Sequence, residues 1–149
     1  MKSVLFVCTG NICRSPSADG ILRHMAAQEG LDLRIDSCGT HGYHIGEAPD
    51  HRSIQVARDN GVDLSFLAAR KLSAEDFENF DLLLAMDSGH LTTMQRLCPP
   101  EHTHKLRLFL ENGADVPDPY YGSMNDFEHV YDLCARGCEA LLKRLELTR

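Results

Sequence analysis

The segment Cys8-Thr9-Gly10-Asn11-Ile12-Cys13-Arg14-Ser15 sets a thiol and a guanidinium at the two ends of a short run with five residues between them. An ionised thiol is a nucleophile, and a guanidinium can grip two oxygens of a tetrahedral oxyanion at once. Gly10 and Asn11 tolerate left-handed backbone angles, so the intervening amides can turn inward as an anion-binding nest. A helix starting directly afterwards adds the positive end of its dipole at the same point. These features favour negative charge on the sulfur and seat an oxyanion beside it, and Ser15 supplies a hydroxyl able to donate to a thiolate. A second pair at the same spacing, Cys138 and Arg144, lies in a helical stretch. There the amides are consumed by helical hydrogen bonds and the two side chains fall on different faces, so that pair cannot enclose an anion.

The elements around the segment fit this chemistry. Val4-Leu5-Phe6-Val7 is a continuous β-branched and aromatic run, the pattern of a parallel strand buried on both faces, and it delivers Cys8 into the loop. Ser15-Pro16 reads as a helix opening, with Ser15 as N-cap, and the apolar positions Ile21, Leu22, Met25 and Ala26 continue the helix to Gly30. Residues 33–38 read as a strand and residues 39–49 as a long functional loop. Ile54, Val56 and Ala57 predict a helix ending at Asn60-Gly61, and Ser73 with Asp76 predicts a capping box. Residues 81–86 form a second buried strand, residues 88–97 a helix, and Leu106 to Leu110 an edge strand. Residues 112–122 form a loop. The spacing of Phe127, Val130, Tyr131, Cys134, Cys138, Leu141, Leu142 and Leu145 marks a long amphipathic C-terminal helix. Strands alternating with helices predict a doubly wound parallel sheet, an α/β fold whose ligands bind beyond the C-terminal strand ends at a switch point.

Composition narrows the function. With 149 residues, 15 Lys and Arg against 22 Asp and Glu give a net charge of −7, which suits a single folded domain over 1–149 and disfavours a nucleic-acid partner. No apolar run approaches the ~20 residues a membrane span needs, and four apolar residues before Cys8 are too few for a signal-peptide core. The expectation is a cytoplasmic protein whose six cysteines are thiols. His41 and His44, and His102 and His104, lack partners at zinc-ligand spacing, so no metal and no cofactor is expected. Cys134 and Cys138 share a helix face and read as core thiols.

From Val4 to Pro16 the chain resembles the opening of the low-molecular-weight protein tyrosine phosphatases. Asp36-Ser37-Cys38-Gly39-Thr40, residues 80–87 and Asp118-Pro119-Tyr120-Tyr121-Gly122 are similar, in order, to that family's later motifs. The resemblance implies a single-domain three-layer α/β/α fold, with a four-stranded parallel sheet and the phosphate-binding loop after its first strand. It implies hydrolysis of phosphotyrosine in proteins, with Cys8 as nucleophile, Arg14 as phosphate clamp, Asp118 as general acid and base, and Thr9, Gly10, Asn11, Ile12, Cys13 and Ser15 in the loop. An Asp held between Pro117 and Pro119 can hang over a pocket, although an Asp-Pro pair alone marks only a turn. Asn11 and Ser37 match residues that brace the strained loop. Tyr43, Tyr120 and Tyr121 match the cleft rim, where ordinary packing is the other reading.

Partners are then tyrosine-phosphorylated proteins and, in the loop, phosphate or other oxyanions. Leu67 stands where many members carry His. Cys13 is placed either to pack beneath the loop or to trap an oxidised Cys8 as a disulfide; spacing leaves both open, and the resemblance favours the redox partner. An arsenate reductase of similar fold needs downstream resolving cysteines, and the segment after the third strand offers only Cys98, while Asp118-Pro119-Tyr120 favours the phosphatase. A phosphoarginine phosphatase typically has Thr in place of Ile12, and a binding module without catalysis predicts a lost nucleophile or acid.

Overall fold

Val4, Leu5, Phe6 and Val7 are all fully buried, which for consecutive residues of an extended chain requires cover on both faces of the strand. In the computed structural model, which describes residues 2–110 and 112–147, that cover comes from helices on either side of one sheet. The order is β1 (Lys2–Cys8), α1 (Arg14–Gln28), β2 (Leu33–Gly39), α2 (His51–Asp59), α3 (Ala74–Asn79), β3 (Leu82–Ala85), α4 (Ser88–Leu97), a 3-10 turn (Pro100–Lys105), β4 (Leu106–Leu108) and α5 (Met124–Leu147). The four strands are parallel in the order β2-β1-β3-β4. From β1 the chain winds to β2 and then crosses back past β1 to β3, so winding reverses at β1. Cys8, the last residue of β1, stands at the crevice this reversal opens.

The period-two alternation of β1 divides the core. Val4, Phe6 and Cys8 join the cluster containing Ile21, Leu22, Phe127, Cys134 and Leu141 from α1 and α5. Leu5 and Val7 join the cluster on the other face, with Phe77 from α3 and Met94 from α4. Phe6 meets Phe109 edge-to-face at 5.3 Å between ring centroids. Helix α5 approaches closely there, because a Cβ on Gly137 would lie 2.5 Å from the Phe109 ring.

The elements match the sequence expectations except at two ends. Helix α1 starts at Arg14 with Cys13 as N-cap and no side-chain cap, so Ser15 lies inside the first turn. Its hydroxyl is engaged by the loop instead. Strand β4 lies at the sheet edge as its alternation suggests, but pairing ends at Leu108. Asp76 caps α3 by accepting the Ser73 N–H at 2.8 Å. Among the described residues no helix is long and apolar enough to cross a membrane.

Candidate active site

The loop from Cys8 to Arg14 owes its shape to one backbone position. Asn11 has φ 59°, the single positive value among the described non-glycine residues. Gly10, expected to share that conformation, does not; its missing side chain leaves room for His44, whose Cδ2 would lie 3.0 Å from a Cβ. Asn11 is braced at both ends of its amide: Oδ1 accepts the Arg70 backbone N–H at 3.0 Å, and Nδ2 donates to Ser15 Oγ at 2.8 Å. Arg70 is itself fixed by ion pairs to Asp36 at 3.0 Å and Asp76 at 2.9 Å. With Leu67 packed against the core, a main-chain N–H from the same segment braces the loop. Gly39 also lets β2 approach, since a Cβ there would lie 2.6 Å from the Thr9 carbonyl oxygen.

Ser37 finds its partner on α1. Its hydroxyl donates to Asp19 Oδ2 at 2.8 Å, and Asp19 also pairs with Arg23 at 2.5 Å. Burial raises the Asp19 carboxyl, offset by Arg23 and the Ser37 hydroxyl. Ser37 therefore ties β2 to α1 behind the loop, its side chain pointing to the face that α1 covers.

Cys8 is 3% exposed, and its Sγ lies 2.9 Å from Ser15 Oγ. Because Ser15 Oγ already accepts from Asn11, its own proton is available. The sulfur is nearer than the alternative acceptor, the Cys38 carbonyl at 3.4 Å. The hydroxyl thus donates to the sulfur. Cys13 is buried too, and a hydrogen bond from Ser53 supports its sulfur. Burial, Asp50 and Cys8 push its thiol up to about 12, so it is protonated at neutral pH.

Arg14 is 4% exposed, and both of its terminal nitrogens have partners. Nη1 donates to Asp87 Oδ2 at 2.8 Å and to the Val116 carbonyl at 3.1 Å, and Nη2 donates to Thr9 Oγ1 at 3.3 Å. Asp87 caps α4 as well, its Oδ1 accepting the His90 N–H at 2.8 Å. Burial alone would raise the Asp87 carboxyl, but the His90 N–H and Arg14 hold it below its ordinary range. Asp87 is thus committed to structure. Asp118 is not: its side chain is 53% exposed, Oδ2 lies 3.8 Å from Arg14 Nη2, and Oδ1 accepts the Tyr120 N–H at 3.1 Å.

Sulfur, guanidinium and carboxylate border one cleft of about 270 Å³, which Ile12 also lines. Tyr43, Tyr120 and Tyr121 form its walls together with His44. Tyr43 stacks on His41 at 5.1 Å, and Tyr120 meets Tyr121 edge-on at 4.9 Å. Arg52 ties the walls to the floor. It pairs with Asp50 at 2.9 Å, donates to the Tyr120 carbonyl at 3.0 Å and lies 4.3 Å over the Phe127 ring, while the Asp50 N–H donates to the Ile12 carbonyl at 2.7 Å. Sequence reasoning missed Arg52, His44 and the structural role of Asp87. Only the pair Asp50 and Arg52 left a local signal, an N-cap with a cation two positions on.

Comparison with known proteins gives one picture. The family model described as low molecular weight phosphotyrosine protein phosphatase matches residues 3–149. The low molecular weight protein-tyrosine-phosphatase YfkJ of Bacillus subtilis is 41% identical, over 98% of this chain and 97% of that protein. The human low molecular weight phosphotyrosine protein phosphatase is 40% identical over 96% of this chain and 95% of its own length. Among solved structures, a protein tyrosine phosphatase from Entamoeba histolytica with Hepes in its active site superposes with a TM-score of 0.95 at 33% identity, covering 99% of both chains.

Proposed function

The chain belongs to the low-molecular-weight phosphotyrosine protein phosphatases, and we propose that it hydrolyses phosphotyrosine in proteins with Cys8 as nucleophile, Arg14 as phosphate clamp and Asp118 as general acid and base. The observation that carries this assignment of roles is the convergence of these three side chains on one aromatic-walled cleft. In the first step the Cys8 thiolate attacks phosphorus in line, an S–P bond forms, and the P–O bond to the phenol breaks. Asp118 gives its proton to the departing oxygen, because a phenol of pKa ~10 leaves poorly as the anion. In the second step water attacks phosphorus and passes a proton to the Asp118 carboxylate. The S–P bond then breaks and phosphate leaves. The loop amides and Arg14 hold the equatorial oxygens in both transition states.

Thr9, Gly10, Asn11, Ile12, Cys13 and Ser15 make up the loop in this reading. Tyr43, Tyr120 and Tyr121 select a long planar phenyl phosphate over the shorter phosphoserine, and Ile12 gives the floor an apolar side chain unsuited to phosphoarginine. Ser37 acts through α1. Peroxide oxidation of Cys8 to the sulfenic acid is followed by attack of the Cys13 thiol, forming the disulfide with release of water. The six free thiols suit a cytosolic enzyme.

The test is turnover of phosphotyrosine, phosphoserine and phosphoarginine peptides by wild type and Cys8→Ser. Wild type should favour phosphotyrosine, and Cys8→Ser should bind phosphate without turnover. A Cys8→Ser enzyme that turns over removes the thiolate mechanism.

A further inference from the structure

Behind Arg14 lies a buried imidazole that the proposed chemistry does not use. His90 is 6% exposed on α4, and its Nε2 lies 2.7 Å from Thr9 Oγ1. That oxygen accepts from Arg14 Nη2, and Arg14 Nη1 donates to Asp87, which in turn accepts the His90 backbone N–H. Arg14, Thr9, His90 and Asp87 therefore close a ring of hydrogen bonds around the guanidinium. Thr9 has one hydroxyl proton, and with its oxygen accepting from Arg14 that proton finds an acceptor at His90 Nε2. An Nε2 that accepts this proton is bare, and the neutral ring then carries its own proton on Nδ1. Nδ1 lies 3.2 Å from Asp87 Oδ1, within ion-pair reach but without hydrogen-bond alignment.

Resting on the reading of Arg14 as the phosphate clamp, we propose that His90 is a positioning residue for it: the neutral Nδ1–H imidazole takes the Thr9 hydroxyl proton, turning the Thr9 oxygen towards Nη2 and holding the guanidinium in its phosphate-gripping orientation. Thr9 and Asp87 fix the two ends of the fork, so Arg14 does not swing to the nearby Asp118 when the loop is empty. The charged groups around the ring agree with a neutral imidazole. Burial, Arg14 and His41 push its pKa down to about 4 against the opposing pull of Asp87 and Asp118. A protonated ring would place a second cation against Arg14 and leave the Thr9 hydroxyl proton without this acceptor.

The test combines vanadate inhibition with tautomer measurement. His90→Phe and Thr9→Val should each weaken vanadate and lower kcat/KM for p-nitrophenyl phosphate by roughly five- to tenfold, the cost of one buried hydrogen bond. The double variant should be no worse than either single, since both remove the same link. His90→Gln, whose amide oxygen can accept from Thr9, should recover most of the loss. In the wild-type protein, ¹⁵N spectra of the imidazole should show the Nδ1–H tautomer persisting to about pH 5, a readout that needs no variant to fold. An Nε2–H tautomer, or full vanadate affinity in both single variants, overturns the proposal. Full vanadate affinity in Arg14→Ala overturns the clamp reading itself, which separates the two failures.

Discussion

At the scale of single residues, the two carboxylates beside Arg14 show how partners sort roles. Asp87 is tied by a cap and an ion pair, whereas Asp118 is half-exposed over the cleft with Oδ2 only 3.8 Å from Arg14 Nη2. Asp118→Asn should therefore depress kcat far more than KM, because proton donation matters only in the transition state. The loss should approach roughly 10²- to 10³-fold with phosphotyrosine and be clearly smaller with p-nitrophenyl phosphate, whose leaving group needs less help. Steady-state kinetics on both substrates decides the point, and equal losses would move the acid role elsewhere. Cys8 and Arg14 were legible in the sequence because their relation is local and a nest is built from consecutive residues. His90, Asp87 and the Val116 carbonyl were not, since they reach the loop across 73 to 102 positions of chain. Residue type gave no hint either, as a histidine or aspartate at the start of a helix is ordinary.

Elements carry the next level of order. Strand β1, helix α1 and the long amphipathic α5 were readable because periodicity records burial directly. Which strand pairs with which was not recorded in any one element, and the brace on Asn11 depends on that pairing: Gly39 of β2 bridges Lys71, which brings the Arg70 N–H to the loop. Arg52 does similar work between α2 and the loop that carries Asp118. Its guanidinium holds the Tyr120 carbonyl while its partner Asp50 holds Ile12, so the acid loop and the phosphate loop are fixed relative to each other. Arg52→Ala should lower kcat for phosphotyrosine roughly tenfold, as a displaced acid loses part of its contribution, with a smaller loss for p-nitrophenyl phosphate. The melting temperature should fall little, because a partly exposed pair of this kind stabilises by only ~1 kcal/mol or less. Substrate-independent loss, or a collapse in melting temperature, would assign Arg52 to general stability instead.

For the whole molecule, the ionisable groups placed in the core set the pH range of the fold. On the acid side, His90 has a folded pKa of about 4 against 6.5 unfolded. The unfolded chain thus binds the extra proton between those values, and stability falls as pH drops from 6.5 to 4. Asp87 and Asp50, held below their ordinary range, add losses at still lower pH, while the raised Asp19 works in the opposite sense. On the alkaline side the cysteines dominate. Cys13 and Cys134 are pushed to about 12, and Cys38, Cys98 and Cys138 are also raised, chiefly by burial. Once pH exceeds 9.0, the value of an unperturbed thiol, the unfolded chain releases these protons while the folded one retains them, so stability must fall as pH rises. A thiol at about 12 costs about 2 kcal/mol by pH 10.5, a large share of a typical stability of ~5–15 kcal/mol. Urea midpoints should hold steady between pH 7 and 8.5 and then fall steeply to pH 10.5. Cys134→Val, which keeps an apolar side chain among its α1 and α5 neighbours, should flatten that fall by one thiol's share, about 1.4 kcal/mol per pH unit. A midpoint unchanged to pH 10.5 would mean that the core admits thiolates, contrary to the burial of all five.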